Sequence, residues 1–236
     1  MKPPYEITPT ILSLVADIMQ LLGRLEGMTL IAQSTPELRR QNRIKTIYST
    51  LAIEGNTLSL EQVSAVIDEK RVLGPQKDIL EVTNAVKLYD QILSFNCCSV
   101  DDFLKAHGLL MEGGIITHIA PPASNVPALI NDLFNYILSD KDHALIQSCV
   151  LHYELEFIHP FSDGNGRMGR LWQTLKLMEL SSVFEYLPIE SLIKEQQDRY
   201  YKVLAICDKA GNSNAFIELI LELIFVSLKQ YENDSD

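Results

Sequence analysis

The chain has 236 residues, 47% of them hydrophobic and 22% charged, a globular balance that can fill one sizeable domain or a domain with an appendage. A formal net charge of −11 repels phosphate backbones and argues against a nucleic-acid partner. Four cysteines without C-x-x-C spacing and a polar, proline-rich start (MKPPYEITPT) predict reduced thiols in a cytoplasmic chain without a signal peptide.

The apolar spacing is helical nearly throughout, so the expectation is an all-α chain. A first helix is predicted over 7–25, with Gly23 and Gly27 at its end. Thr35 as N-cap, Pro36 and Glu37 start a second, which stops at Gly55-Asn56. Ser59 with Gln62 forms a capping box for a third, ending at Lys70-Arg71. Residues 78–93 and 101–111 read as helices. The stretch 112–127 holds two glycines and three prolines and reads as a loop, with a brief extended piece at 115–119. Helices are then predicted over 126–138, 144–157, 190–207 and 214–229. Another carries Leu171, Trp172, Leu175 and Met178 on its inner face. The late apolar stretch 216–228 is interrupted by Glu218 and Glu222, so it predicts a buried helix and no membrane span. The last four residues are expected to fray.

Between the helix over 144–157 and the one through Trp172 lies HPFSDGNGRMGR, residues 159–170. An imidazole, a carboxylate, a Gly-Asn-Gly turn and two arginines sit within twelve residues. Gly164, Gly166 and Gly169 also satisfy G-x-G-x-x-G, but a dinucleotide fingerprint needs a preceding strand, and the preceding run is helical. The glycines still let backbone N–H groups converge on an anion at a helix start, and Arg167 and Arg170 add fixed positive charge. Singly, each residue has an ordinary reading: a surface histidine, a turn aspartate, solvated arginines. Their joint spacing points to chemistry at a phosphorus centre, where positioning and charge stabilisation do most of the catalysis. His107, His118, His143 and His152 are placed among structural or surface groups.

The segment matches at every specified position H-x-F-x-[DE]-G-N-G-R-x-x-R, the signature of the Fic family. The stretch 2–81, the phrase APPASNVP, and the downstream LPIESLI and RYYKVL resemble the bacterial type with an N-terminal helical extension. The resemblance implies a helical Fic fold with two parts: residues 1–95 as an N-terminal helical region, and 96–236 as the core. It implies AMP transfer from ATP to a Ser, Thr or Tyr hydroxyl of a target protein, with release of pyrophosphate. His159 would be the base, Phe161 would hold the loop, and Asp163 would bind Mg²⁺ or Mn²⁺. Gly164, Asn165 and Gly166 would cradle the phosphates, with Arg167 toward the β-phosphate and Arg170 toward the γ-phosphate. Tyr200, Tyr201 and Asp208 are candidates for the adenosine end, against helix packing for the tyrosines and surface for Asp208.

Residues 50–55, TLAIEG, resemble the family's inhibitory motif [ST]-x-x-x-E-[GN]. The resemblance implies that Glu54 occupies Arg170 and blocks the productive pose of ATP, with Asn56 close to the nucleotide. Only residues 112–117 separate the helix near Met111 from the phrase HIAPP. The family's target-clamping hairpin therefore reads as shortened, and its Gly-x-[FY]-R element is missing. The alternatives are a bifunctional enzyme that also removes AMP and a nucleotide-sensing interaction module. The expected partners are ATP and a target protein, with the chain itself and a homodimer included, and no membrane.

Overall fold

The computed structural model describes residues 2–27, 35–113, 125–139 and 141–235. Among these every regular element is helical. Helix α1, Pro9–Gly27, begins where the Thr8 hydroxyl accepts from the Ile11 N–H at 3.1 Å and Pro9 takes the first helical position. It continues through Gly23 to Gly27, two residues past the expected end. Its apolar stripe of Ile11, Ile18, Leu21, Leu22 and Leu25 is buried against α11, Asn214–Ser235. That last helix runs six residues beyond the predicted Lys229.

Helix α2, Pro36–Ile53, is capped by Thr35, whose hydroxyl accepts from Leu38 N–H at 3.1 Å. In α3, Leu60–Ile67, the capping box of Ser59 and Gln62 is formed in both directions. The helix closes earlier than its predicted basic end. Lys70 N–H reaches back to the Ala65 carbonyl at 2.9 Å, and Glu69 turns the chain through a left-handed conformation (φ 55°). Helix α4, Gln76–Asp90, gives way to a 3₁₀ turn, Ile92–Ser94, so the predicted 78–93 helix ends in a tighter coil. Then follow α5, Val100–Leu110, α6, Val126–Ser139, α7, Ala144–Ile158, and α8, Asn165–Met178. The predicted 190–207 helix is two, α9, Ile189–Glu195, and α10, Gln197–Ala210. No glycine or proline marks that break. The Gln197 amide turns away to donate to the Ile53 carbonyl at 3.1 Å, closing the end of α2. Residues 115–119 and most of the shortened hairpin lie outside the described residues.

The larger core runs through the chain from Ile11 to Tyr231, and a smaller one joins α2, α3 and α4 around Ile47, Leu51, Val63 and Val82. At the centre of the larger core Phe103 meets Phe134, Phe161 and Trp172 with ring centroids 5.0–5.5 Å apart. Phe161 belongs to the 159–170 loop, so that loop is anchored directly on the aromatic core. Helices α7 and α8 pack against each other on either side of it.

One charged group sits inside this packing. Glu190 at the start of α9 is 2% exposed, takes hydrogen bonds from Thr46 and Thr174, and leaves one carboxylate oxygen without a partner. Burial pushes its carboxyl up to about 7, against the smaller opposing pull of Arg170. The folded chain therefore holds a proton that the unfolded chain releases above the ordinary glutamate range. Glu190 favours the fold below that range and loses this contribution as pH rises through about 7. Glu190→Gln should thus stabilise the protein by about 1–3 kcal/mol at pH 8.5 and by little at pH 5, in urea titrations at the two pH values.

Candidate functional site

Helix α7 ends at His159, which adopts a left-handed backbone (φ 52°) while its N–H still reaches the Leu155 carbonyl at 3.2 Å. A side chain bearing a Cβ pays for that conformation, and such residues concentrate at functional sites. The result is an exposed imidazole at the rim of the loop. The loop is tied to itself by Asn165, whose side chain accepts from Phe161 N–H at 2.9 Å and donates to the Phe161 carbonyl at 2.7 Å. Gly164 (φ 86°) makes the left-handed N-cap of α8. The first intrahelical bond is Met168 N–H to the Gly164 carbonyl, so the amides of Asn165, Gly166 and Arg167 precede the helical ladder. That helix start is a ready seat for an anion.

Both arginines of the loop are buried, at 5% exposure for Arg167 and 2% for Arg170, where isolated helical arginines would be solvated. Arg167 donates to Asp163 at 2.9 Å, and Glu81 of α4 stands 3.7 Å away. Asp163 is exposed and also accepts from Gly164 N–H at 2.6 Å. Arg170 is held by α2: its Nε donates to the Thr50 hydroxyl at 2.9 Å, and Nη2 donates to the Thr50 carbonyl at 3.1 Å and to Glu54 Oε1 at 2.6 Å. Burial would lower its pKa, but Glu54, with Glu156 behind it, outweighs that and raises it. Its Nη1 has no partner. Gly166 makes room for this arrangement, since a Cβ there would fall on Glu54 Oε1 and lie 3.0 Å from Arg170 and from Glu156.

Behind Arg170 lies a buried polar chain. The Tyr200 hydroxyl donates to Glu156 at 3.0 Å and lies 3.0 Å from His152 Nε2, and His152 Nδ1 lies 2.6 Å from Gln173. Burial, aided by the Arg170 charge, pushes His152 down to about 3, so it is neutral. Burial likewise raises Glu156, opposed by Arg170. Tyr200 is therefore enclosed within this chain. Tyr201 is exposed and within electrostatic reach of Glu54 and Arg170. Asp208, farther along α10, accepts from the Tyr153 hydroxyl at 3.0 Å. Asn56 donates to Glu81 at 2.9 Å and to the Asp78 carbonyl at 3.1 Å. His159, Asp163, Gly164, Gly166, Arg167, Arg170 and Glu54 thus converge on one helix start.

Several contributors escape the sequence pattern. His107 stacks on Phe161 with centroids 3.5 Å apart and bonds the Asp163 carbonyl at 2.9 Å, which steers the loop from α5. Nothing local marks it, because the partner is distant in sequence. Glu81 is equally silent. Glu156 and His152 do carry a signal: they precede His159 by about one and two helical turns on α7.

Exposed imidazole, helix-start amides and two buried guanidiniums can together seat a polyanion beside a base. No helix among the described residues is long and apolar enough to cross a membrane.

Comparison with known proteins bears on the family of the chain. The Fic/DOC family profile matches residues 77–177. A protein adenylyltransferase fic-1 from Caenorhabditis elegans is 28% identical over 84% of this chain and 44% of its own length. A protein adenylyltransferase Fic from Drosophila ananassae is 26% identical over 92% of this chain and 49% of its own. The chain thus spans about half the length of these curated relatives. The C. elegans Fic-1 structure superposes with a TM-score of 0.75 at 22% identity, covering 95% of this chain and 71% of that one, a likeness of fold. The crystal structure of a Fic family protein from Desulfovibrio desulfuricans is 44% identical, with a TM-score of 0.92 over 99% of this chain and 77% of that one. With the 159–170 loop built as described and a relative this similar along its length, the chain belongs to the Fic/DOC family.

Proposed function

We propose that the chain is an autoinhibited protein adenylyltransferase that moves AMP from ATP to a hydroxyl of a target protein. The observation that carries this reading is the pairing of an exposed His159 with a helix start holding two buried arginines. The names of the curated relatives support the same activity. The ATP phosphates sit on the α8 start, Arg167 and Arg170 take the charge of the departing pyrophosphate, and His159 draws the proton from the attacking hydroxyl. The α-phosphorus bond to the bridging oxygen breaks as the new phosphoester forms.

Asp163 suits a divalent cation. It is exposed at the anion site, where it shares Arg167, and Mg²⁺ or Mn²⁺ would take its remaining ligands from phosphate oxygens and water. Bound there, the ion would neutralise charge developing on the phosphates. Partners are thus ATP and a protein hydroxyl, on another protein or on the chain itself.

Autoinhibition follows from the Glu54–Arg170 pair at 2.6 Å. A carboxylate that already occupies Arg170 competes with the terminal phosphate for it. The gate need be worth only about 1–3 kcal/mol, roughly 5- to 150-fold in activity.

Two measurements test the proposal. His159→Ala should lower AMP transfer by about 10²- to 10⁴-fold while ATP binding stays within a few-fold of the unaltered protein, followed with labelled ATP and by calorimetry. Undiminished transfer in the folded variant would remove His159 from the mechanism. Glu54→Gly should raise transfer, and adding Arg170→Ala should return it to the basal level or below. A double variant as active as Glu54→Gly alone would show that the glutamate does not act through Arg170.

A further inference from the structure

The far end of α8, opposite the anion site, carries reactive side chains that the proposed transfer does not use. Residues Asn96 to Ser99 form a tight turn closed by Ser99 N–H on the Asn96 carbonyl at 3.0 Å, and the two central residues are Cys97 and Cys98. Their sulfurs lie 3.6 Å apart. Cys97 is buried and its thiol donates to Glu179 Oε1 at 3.0 Å, whereas Cys98 is partly open to solvent. Lys176 holds the other oxygen of Glu179 at 2.7 Å. Among the described residues, these two thiols and this carboxylate are the one group of three such donors close enough to converge on a single point.

The two thiols are not equivalent. The close contact with Cys97 lowers Cys98, with help from the Lys176 charge. The same contact, together with burial and Glu179, holds Cys97 well above the ordinary thiol range. The turn therefore presents one accessible thiol that ionises more readily than an ordinary one, beside one buried thiol that donates to a carboxylate. A metal ion would need both thiols ionised. A stepwise oxidation needs only one at a time.

We propose that Cys97 and Cys98 form a redox-modification site, in which a hydroperoxide oxidises Cys98 and Cys97 then closes onto it as a disulfide between neighbouring residues. In the first step the Cys98 thiolate attacks one peroxide oxygen. The S–O bond forms, the O–O bond breaks, and the departing hydroxide (or alkoxide) takes a proton from solvent. In the second step Glu179 accepts the Cys97 proton and the Cys97 sulfur attacks Cys98. The S–S bond forms, the S–O bond breaks, and the hydroxide leaves as water with that proton. The dithiol loses two electrons and the peroxide gains them. Neighbouring Cα atoms are only about 3.8 Å apart, against about 4.4–6.8 Å in ordinary disulfides, so the product is readily reduced by thiols.

The modification has a built-in reporter. Trp172, the single tryptophan of the chain, donates its indole N–H to the Cys97 carbonyl at 3.1 Å. It lies on α8, the helix that also carries Arg167 and Arg170.

The full-length chain is treated with hydrogen peroxide at neutral pH, quenched with iodoacetamide, and analysed by peptide mass. The expected peptide carrying both cysteines is two hydrogens lighter, unalkylated, and restored by dithiothreitol, and tryptophan fluorescence shifts and recovers in step. Cys98→Ser should abolish both changes. Cys97→Ser should leave a sulfenic acid on Cys98 that dimedone traps, and Lys176→Met should slow the reaction several-fold. If Cys97→Ser does not fold, the mass loss and fluorescence of the unaltered chain decide alone. The proposal is overturned if both cysteines remain alkylatable after peroxide, if Cys149 or Cys207 oxidises at the same rate, or if the turn binds stoichiometric zinc that peroxide merely expels.

Discussion

A guanidinium with 1% of its side chain exposed must be neutralised, and the architecture around the loop is organised by that requirement of Arg170. Helix α2 answers with Thr50 and Glu54, α7 contributes the nearby Glu156, and α10 brings Tyr200 against that carboxylate. Only Glu54 meets Arg170 at hydrogen-bond distance from a third-exposed position. The charge that holds the resting state together is thus also the most easily replaced, because an incoming anionic group satisfies the same buried cation. In the proposed gate, stability and inhibition share one interaction, and a ligand that removes the glutamate supplies its electrostatic equivalent.

The layer behind Arg170 is kept close to neutral. His152, which burial holds uncharged, cannot add a second cation to the interior. Glu156, raised by burial, carries a proton more readily than a surface carboxylate and so competes less for the arginine. Gln173 and Tyr200 link these groups without bringing further charge. Among the described residues, Glu54 is the one carboxylate within ion-pair distance of Arg170.

The helical content, the helix caps and the 159–170 loop were legible in the sequence because each rests on local chemistry. Thr35 and Ser59 cap with their own hydroxyls, and the glycines at 164 and 166 stand where a Cβ would strain or collide. What was not legible depends on distant partners. The break at Gln196 lies where the Gln197 side chain reaches the end of α2. At the site, residues with one-turn spacing from His159 could be found along α7. His107 and Glu81 could not, since their roles exist only once α4 and α5 lie beside the loop. The ends of helices were also set by packing. The terminal helix ran on past Lys229 because Leu228 and Tyr231 still find core neighbours.

Helix α2 is fastened along its length. Ser49 meets the Ser191 hydroxyl at 3.1 Å, Lys194 donates to the Tyr48 hydroxyl at 2.6 Å while lying over its ring, and Gln197 closes the Ile53 carbonyl. Displacing the helix to release Glu54 would break these contacts together. The glutamate sits one residue beyond the last helical turn, on the C-cap, followed by a left-handed Gly55. Its carboxylate can swing out by rotation about its own side-chain bonds. Exposed side chains make that motion in picoseconds to nanoseconds, whereas helix displacement takes microseconds or longer. In the proposed gate, occupancy of the arginine is then decided by equilibrium competition at every encounter with an anion, with no memory of the previous state.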